Sequence, residues 1–157
     1  MNDADAAALR TLADYQFGRG AGDALFPVHE DLDVERSRSG RPRQVFGDPG
    51  RLVSLGLDGR FTLGLAGGRR LVDGLAAPAA RVVVGDESEP YVRDGKNVFA
   101  KFVSDVDPAV RAGDEVAVVH GRGAVLAVGR AELDAGSMGD FETGMAVMVR
   151  EGAQADG

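Results

Sequence analysis

The sequence predicts an α+β unit followed by a mainly β unit: a helix laid on an antiparallel sheet, then a small barrel. Three observations carry that expectation. Residues 2–18 place apolar side chains at helical spacing, and residues 31–65 switch to a period of two broken by hairpin turns. From Ala79 onward, five or so short strands follow one another with turn signals between them, the pattern of a small barrel.

The first helix is read from "NDADAAALRTLADYQFG". Asn2 or Asp3 supplies a cap, the alanines favour helix, and Leu9, Leu12, Ala13 and Phe17 fall on one face. Tyr15 and Phe17 read most simply as core. Gly18 ends the helix, and "GRGAGDALF" gives a glycine-rich bend with one more helical turn before Pro27. A meander follows. "DLDVERSR" returns as "RPRQVF" through a two-residue turn at Ser39–Gly40, and "DPG" leads into "RLVSLGL", with Val53, Leu55 and Leu57 on one side. "DG" at Asp58–Gly59 opens "FTLGL", with Phe61, Leu63 and Leu65 inward. Such a meander needs a helix on its apolar face. A short helix in "GGRRLVDGLAAP" stops at Pro78.

The second unit opens with the strand "RVVV". A helical turn follows in "ESEPYVRDG", with Ser88 as cap and Gly95 as terminator. "NVFAKFV" reads as one strand, which puts Val98, Ala100 and Phe102 on one side and Phe99, Lys101 and Val103 on the other. Strands "DEVAVVHG", "AVLAVGRAEL" and "GMAVMVRE" complete it, with His120 facing solvent in a hairpin turn. The expected division is 1–78, 79–152 and a frayed tail at 153–157.

Composition narrows the function. Hydrophobic content of 44% and charged content of 27% are those of a globular chain, and no apolar run is long enough to cross a bilayer. The acidic start "MNDADAAALR" is unlike a signal peptide, and zero cysteines fit a reducing compartment, so a cytoplasmic address without membrane association is expected. The net charge of −7 argues against nucleic acid when taken alone. Yet aspartate outnumbers glutamate about two to one, lysine is scarce and arginine abundant, a bias like that of salt-adapted microbes with GC-rich genomes. Local clusters then say more than the total.

Two clusters stand out. "RDGKNVFAKFV" holds Lys96 and Lys101, the only two lysines in the chain, beside Gly95 and Asn97. "RSRSGRPR" sets Arg36, Arg38, Arg41 and Arg43 in one hairpin with no acid among them, where spacing of two on each arm would project the guanidiniums together. Ion pairs with Asp31, Asp33 and Glu35 are the plainer reading of those arginines. Other motifs carry less. "GRGAGD" follows a helix and has GxGxG spacing, so it is a bend and not a dinucleotide loop. His29 with Glu30, Asp31 and Asp33 matches no metal motif. No catalytic constellation and no cofactor site stands out.

The order "VFAKFV…VRAGDEVAVVHGRGAVLAVGRAEL…GMAVMVR" resembles the PUA domain, the RNA-binding module of pseudouridine synthases and archaeosine transglycosylases. "LADYQFGRGAGDALFP" with "SRSGRPRQV" and "DGRFTL" resembles the small domain that precedes PUA in archaeal tRNA-guanine transglycosylase and the related archaeosine synthase. The resemblance implies a cystatin-like pre-PUA domain, a helix on a curled antiparallel sheet, followed by a PUA-type pseudo-barrel. It implies RNA contact through the glycine loop and closing strand, which by position are Arg93, Gly95, Lys96 and Asn97, with Lys101 and Arg150. The catalytic barrel of that family, with its aspartates and zinc site, has no counterpart in these residues. The implied function is therefore non-catalytic binding of RNA, tRNA above all, beside a transglycosylase-like or archaeosine synthase-like enzyme. The alternative is a scaffold subunit whose PUA fold has lost its RNA surface.

Overall fold

A computed structural model describes residues 1–140 and 143–154. The chain folds as two compact units, Met1–Ala76 and Ala77–Gly157.

In the first unit, helix α1 (Asp3–Phe17) begins as expected: Asn2 accepts a hydrogen bond from the Asp5 amide at 2.8 Å, and Asp3 and Asp5 complement the helix dipole. Ala6, Leu9 and Ala13 form its buried stripe. Tyr15, expected in the core, is 93% exposed. Two residues beyond Ala13 lies the opposite side of a helix. Gln16 takes the inward place instead: its side chain donates to the Phe61 carbonyl at 2.8 Å and accepts from the Phe61 amide at 2.7 Å. A second helix, α2 (Ala21–Leu25), packs so close to α1 that a side chain at Gly22 would overlap the Arg10 backbone.

Strands β1 (Asp33–Arg36), β2 (Pro42–Phe46), β3 (Arg51–Leu55) and β4 (Phe61–Leu63) form an antiparallel meander in that order. Its core contains Val45, Leu52, Val53, Leu63 and the Phe26–Phe61 pair, whose ring centroids lie 5.8 Å apart. Leu57, expected inward, is 97% exposed. The turn starts earlier than the "DG" signal suggests. Gly56 already donates to the Arg60 carbonyl, so Leu57 sits in the turn and not on the strand. Leu65 likewise leaves the sheet and opens helix α3 (Leu65–Gly74).

In the second unit, β5 (Arg81–Val84) and helix α4 (Glu89–Arg93) lead into β6 (Val98–Phe99). The rest comprises β7 (Val103–Val106), β8 (Glu115–His120), β9 (Val125–Ala131), helix α5 (Ala135–Asp140) and β10 (Met145–Gly152). The strand order is β6-β10-β9-β8-β5-β7, antiparallel except for the β5–β8 pair. A valine-rich core, including Val82, Val84, Val116, Val118, Leu126 and Val147, fills this nearly closed pseudo-barrel.

"NVFAKFV" is not the single strand expected. A 3-10 turn, Ala100–Phe102, breaks it. The reason is topological. Before the break, β6 pairs with β10, and after it β7 pairs with β5, so three residues carry the chain between opposite edges of one sheet. A straight strand cannot make that crossing. At the other end, Ala153, expected in the frayed tail, is buried and donates to the Leu126 carbonyl at 2.8 Å. Residues 155–157 of that tail lie outside the described residues.

Candidate nucleic-acid interface

The loop after α4 is held by three devices. First, Gly95 adopts φ +91° and donates to the Val92 carbonyl, while Lys96 donates to the Tyr91 carbonyl. This pair of bonds is a Schellman closure, and it needs a residue that tolerates positive φ. A Cβ at Gly95 would meet nothing within 4 Å, so the glycine is there for backbone conformation and not for space. Second, Asn97 accepts the Val149 amide on β10 at 2.9 Å, across 52 residues of sequence. Third, Gly152 brings β10 so close that a Cβ would overlap the Arg93 carbonyl oxygen and crowd the Gly95 nitrogen. Arg93 adds its own clasp, donating to the Ala153 carbonyl at 3.1 Å and lying 3.9 Å from Glu89.

These anchors frame a cavity of about 610 Å³ between α4 and β6. Tyr91, Phe99 and Phe102 give it aromatic walls, and Val92 and Val98 an aliphatic floor. Lys96 and Glu87 bring one charge of each sign to the lining, and Ser88 and Asn97 bring polar groups. Tyr91 and Phe99 are 64% and 47% exposed, so each ring keeps surface open for stacking. Lys101 belongs to the same neighbourhood through the 3-10 turn: its ammonium sits 5.0 Å from the Phe102 ring centroid. Read as one strand, the sequence leaves Lys96 on the loop and Lys101 on a strand face with no shared partner required, whereas the 3-10 turn keeps both near the groove. Both are exposed, and neither makes an ion pair among the described residues.

Arg150 is placed differently from the expected contact. It is the extra residue of a β-bulge between Val149 and Glu151, and its guanidinium forks onto the Glu115 carboxylate at 2.5 and 3.0 Å. Glu115 is buried, so the pair compensates a carboxylate largely removed from water. Of the four hairpin arginines, Arg36 and Arg41 are taken up by separate partners within the unit. Their turn spans Ser37–Arg41, with Ser37 donating to the Arg41 carbonyl, which is longer than the two residues expected. Arg36 pairs with Asp5 and donates to the Gly40 carbonyl at 3.0 Å, and Arg41 donates to the Gly56 carbonyl. Arg38, in the turn, and Arg43, on β2, are exposed and make no ion pair among the described residues.

His120, expected in solvent, is 5% exposed. Its Nδ1 accepts from the Arg122 amide at 3.0 Å and its Nε2 meets Asp86 at 2.5 Å. With Nδ1 as acceptor, the ring proton sits on Nε2 and points at the carboxylate. Hydrogen bonding from His120, then from Arg122, holds the Asp86 carboxyl below its ordinary range. This clasp fixes the segment just before Glu87 and Ser88. The sequence does not reveal the aromatic walls or Ser88 as site residues, because α4 and β6 form a cavity only after β10 closes behind them.

Residues 7–78 match the patch-forming domain C2 of tRNA-guanine transglycosylase, and residues 80–153 match the PUA domain. The tRNA-guanine(15) transglycosylase of Pyrococcus furiosus is 44% identical over 147 residues, 93% of this chain and 24% of the relative. That of Methanothermobacter thermautotrophicus is 46% identical over 146 residues, 92% of this chain and 22% of the relative. The chain thus spans about a quarter of the length of the curated relatives it matches. Among solved structures, a hypothetical protein of Pyrococcus horikoshii OT3 shares the fold at TM-score 0.72 and 20% identity, covering 99% of this chain and 93% of its own. A PUA domain of Aeropyrum pernix K1 does so at 0.71 and 19%, covering 98% and 84%. Taken in order, the two domain matches make this chain a C2–PUA pair of the archaeal tRNA-guanine transglycosylase type.

Proposed function

We propose that the chain binds RNA, tRNA above all, and performs no chemistry on it. The α4–β6 groove is the contact, with Lys96 and Lys101 meeting the phosphate backbone and the exposed aromatic rings meeting unstacked bases. The observation that supports this best is the state of the two lysines. They remain unpaired beside exposed aromatic rings, whereas Arg93, Arg122, Arg130 and Arg150 of the same unit all lie against carboxylates. A phosphate bound there would displace only water and counterions. In the relatives, the matched segment is one part of a longer transglycosylase. Here too, on this reading, it grips the tRNA while a transglycosylase-type or archaeosine synthase-type catalytic domain modifies it, in the cytoplasm of an archaeal cell. No helix among the described residues is long and apolar enough to cross a membrane.

Gel-shift titrations of the chain with unmodified archaeal tRNA across a salt series test this. Each lysine removed from a phosphate contact lowers the slope of log K against log salt by about 1, so Lys96→Ala with Lys101→Ala lowers it by about 2. Unchanged affinity and slope in the double variant would refute the proposed contact. Absence of RNA binding, with co-purification of a protein partner, would favour the scaffold reading.

A further inference from the structure

The groove contains more chemistry than phosphate binding requires. Ser88 occupies the N-cap position of α4, yet its backbone is helical (φ −89°, ψ −21°) and its hydroxyl caps nothing. The residue is 8% exposed and its side chain makes no hydrogen bond among the described residues. Among those residues, no wholly buried side-chain polar atom lacks a partner. The Ser88 hydroxyl must therefore retain access to solvent, and Ser88 lines the cavity. Beside it stands Glu87, an acceptor-only carboxylate, in a site proposed to hold a polyanion. A carboxylate is unfavourable for phosphate and suits a ligand group that donates. Asn97 spends one lone pair of its oxygen on the Val149 amide, and its amide nitrogen can only donate. Among the lining side chains, the strongest acceptor offered to a ligand is thus the Glu87 carboxylate, with the Ser88 and Tyr91 hydroxyls as weaker ones.

We infer that the groove takes one unpaired nucleobase and selects those that carry an exocyclic amine, with Glu87 and Ser88 as the specificity-determining residues. This rests on the RNA-binding reading and deepens it. Cytosine, adenine and guanine each turn an amine toward an acceptor, and the carboxylate–cytosine amine pair is a recurrent recognition contact. Uracil has no exocyclic amine, and its one N3–H is flanked by two carbonyl oxygens that a carboxylate repels. The volume of about 610 Å³ is within the range of sites that enclose a small molecule. Tyr91 or Phe99 supplies a stacking face, and Lys96 lies at the cavity for the adjoining phosphate.

The test uses the full chain and two single-stranded RNA pentamers of equal length and charge, oligocytidylate and oligouridylate, with binding followed by fluorescence anisotropy at low salt. The expected preference for cytidine is about tenfold, the effect of one well-placed hydrogen bond to a base edge. Glu87→Gln offers both a donor and an acceptor, and it narrows the preference to about twofold while binding of oligouridylate improves. Ser88→Ala narrows the preference without altering the salt slope. Equal binding of both pentamers by the native chain would overturn the inference and leave RNA binding standing. A tenfold preference that survives Glu87→Gln and Ser88→Ala would overturn it equally. Binding of neither pentamer, nor of tRNA, would overturn both readings.

Discussion

Asn97 ties recognition to stability, and two substitutions separate those roles. Its side-chain oxygen accepts the Val149 amide at 2.9 Å in a partly buried setting, at the bulge where β10 changes register. Asn97→Ala leaves that amide without its partner, a loss of about 1–3 kcal/mol. For a unit of this size each kcal/mol lowers Tm by about 4–8 °C. The second unit, Ala77–Gly157, should therefore melt roughly 4–24 °C earlier. Asn97→Asp retains an acceptor, and an ionised one, so its Tm should stay within about 2 °C of the native chain. It also sets a negative charge beside Lys96. Close charges in water interact by roughly 1 kcal/mol, so RNA affinity should fall about fivefold. Differential scanning calorimetry and tRNA gel shifts on the same two preparations separate the effects. If Asn97→Asp melts as early as Asn97→Ala, the carboxamide oxygen is not the anchor and the assignment is wrong.

Three further expectations follow from the geometry. Gly152→Ala should destabilise the second unit by about 1–3 kcal/mol, because the new methyl overlaps the Arg93 carbonyl and only backbone could move away. A Tm unchanged in that variant would refute the close approach. In the first unit, Arg70 forks onto Glu30 at 2.6 and 2.7 Å and also donates to the carbonyls of Leu25 and Asp48. Its hydrogen bonds hold the Glu30 carboxyl below the ordinary value of 4.5, so this stabilisation is complete above that pH and is lost as pH falls through the folded-state value. The Tm gap between the native chain and Arg70→Ala should be widest near neutrality and narrow in acid, and a gap independent of pH would exclude the ion pair as its main source. Among the hairpin arginines, Arg36→Ala and Arg41→Ala should lower Tm, whereas Arg38→Ala and Arg43→Ala should leave it unchanged. A lower salt slope of tRNA binding in the second pair would identify the hairpin as a further RNA contact.

The elements whose signals are local are legible in the sequence. The Asn2 cap, the Gly18 stop, the "DG" turn and the Gly95 terminator each act within a few residues, so their chemistry can be read without knowing what packs against them. The sequence misleads where distant parts of the chain decide. The break in "NVFAKFV" follows from the strand order of the whole sheet, and no residue in the stretch announces it. His120 is buried because Asp86, 34 residues earlier, reaches it, and Arg150 is taken up by Glu115, 35 residues earlier. Position alone singles out Asn97, but what the structure records for it is an anchoring bond to Val149. The cavity is the extreme case, since α4, β6 and the 3-10 turn each contribute walls that have meaning only together.

The charge distribution fits a division of labour between the two basic residue types. The first unit carries ten basic and eleven acidic residues, whereas the second carries eight and fourteen, so nearly all of the net −7 belongs to the unit with the groove. A field of that sign repels phosphate at long range, and salt shortens its reach to about 8–10 Å at moderate ionic strength. Recognition must then be decided at contact. Arginine suits the fixed carboxylate partners of this fold, because its planar fork makes two bonds in one geometry. Lysine is a compact, mobile point charge that is less readily captured by one carboxylate, and it can remain available in acidic surroundings. In the second unit, arginines clasp Glu89, Asp86, Glu132 and Glu115, and the only two lysines of the chain stand unpaired at the groove. The scarcity of lysine elsewhere is thus compatible with RNA binding. What an acidic chain needs for a phosphate is a cation that its own carboxylates have not already taken.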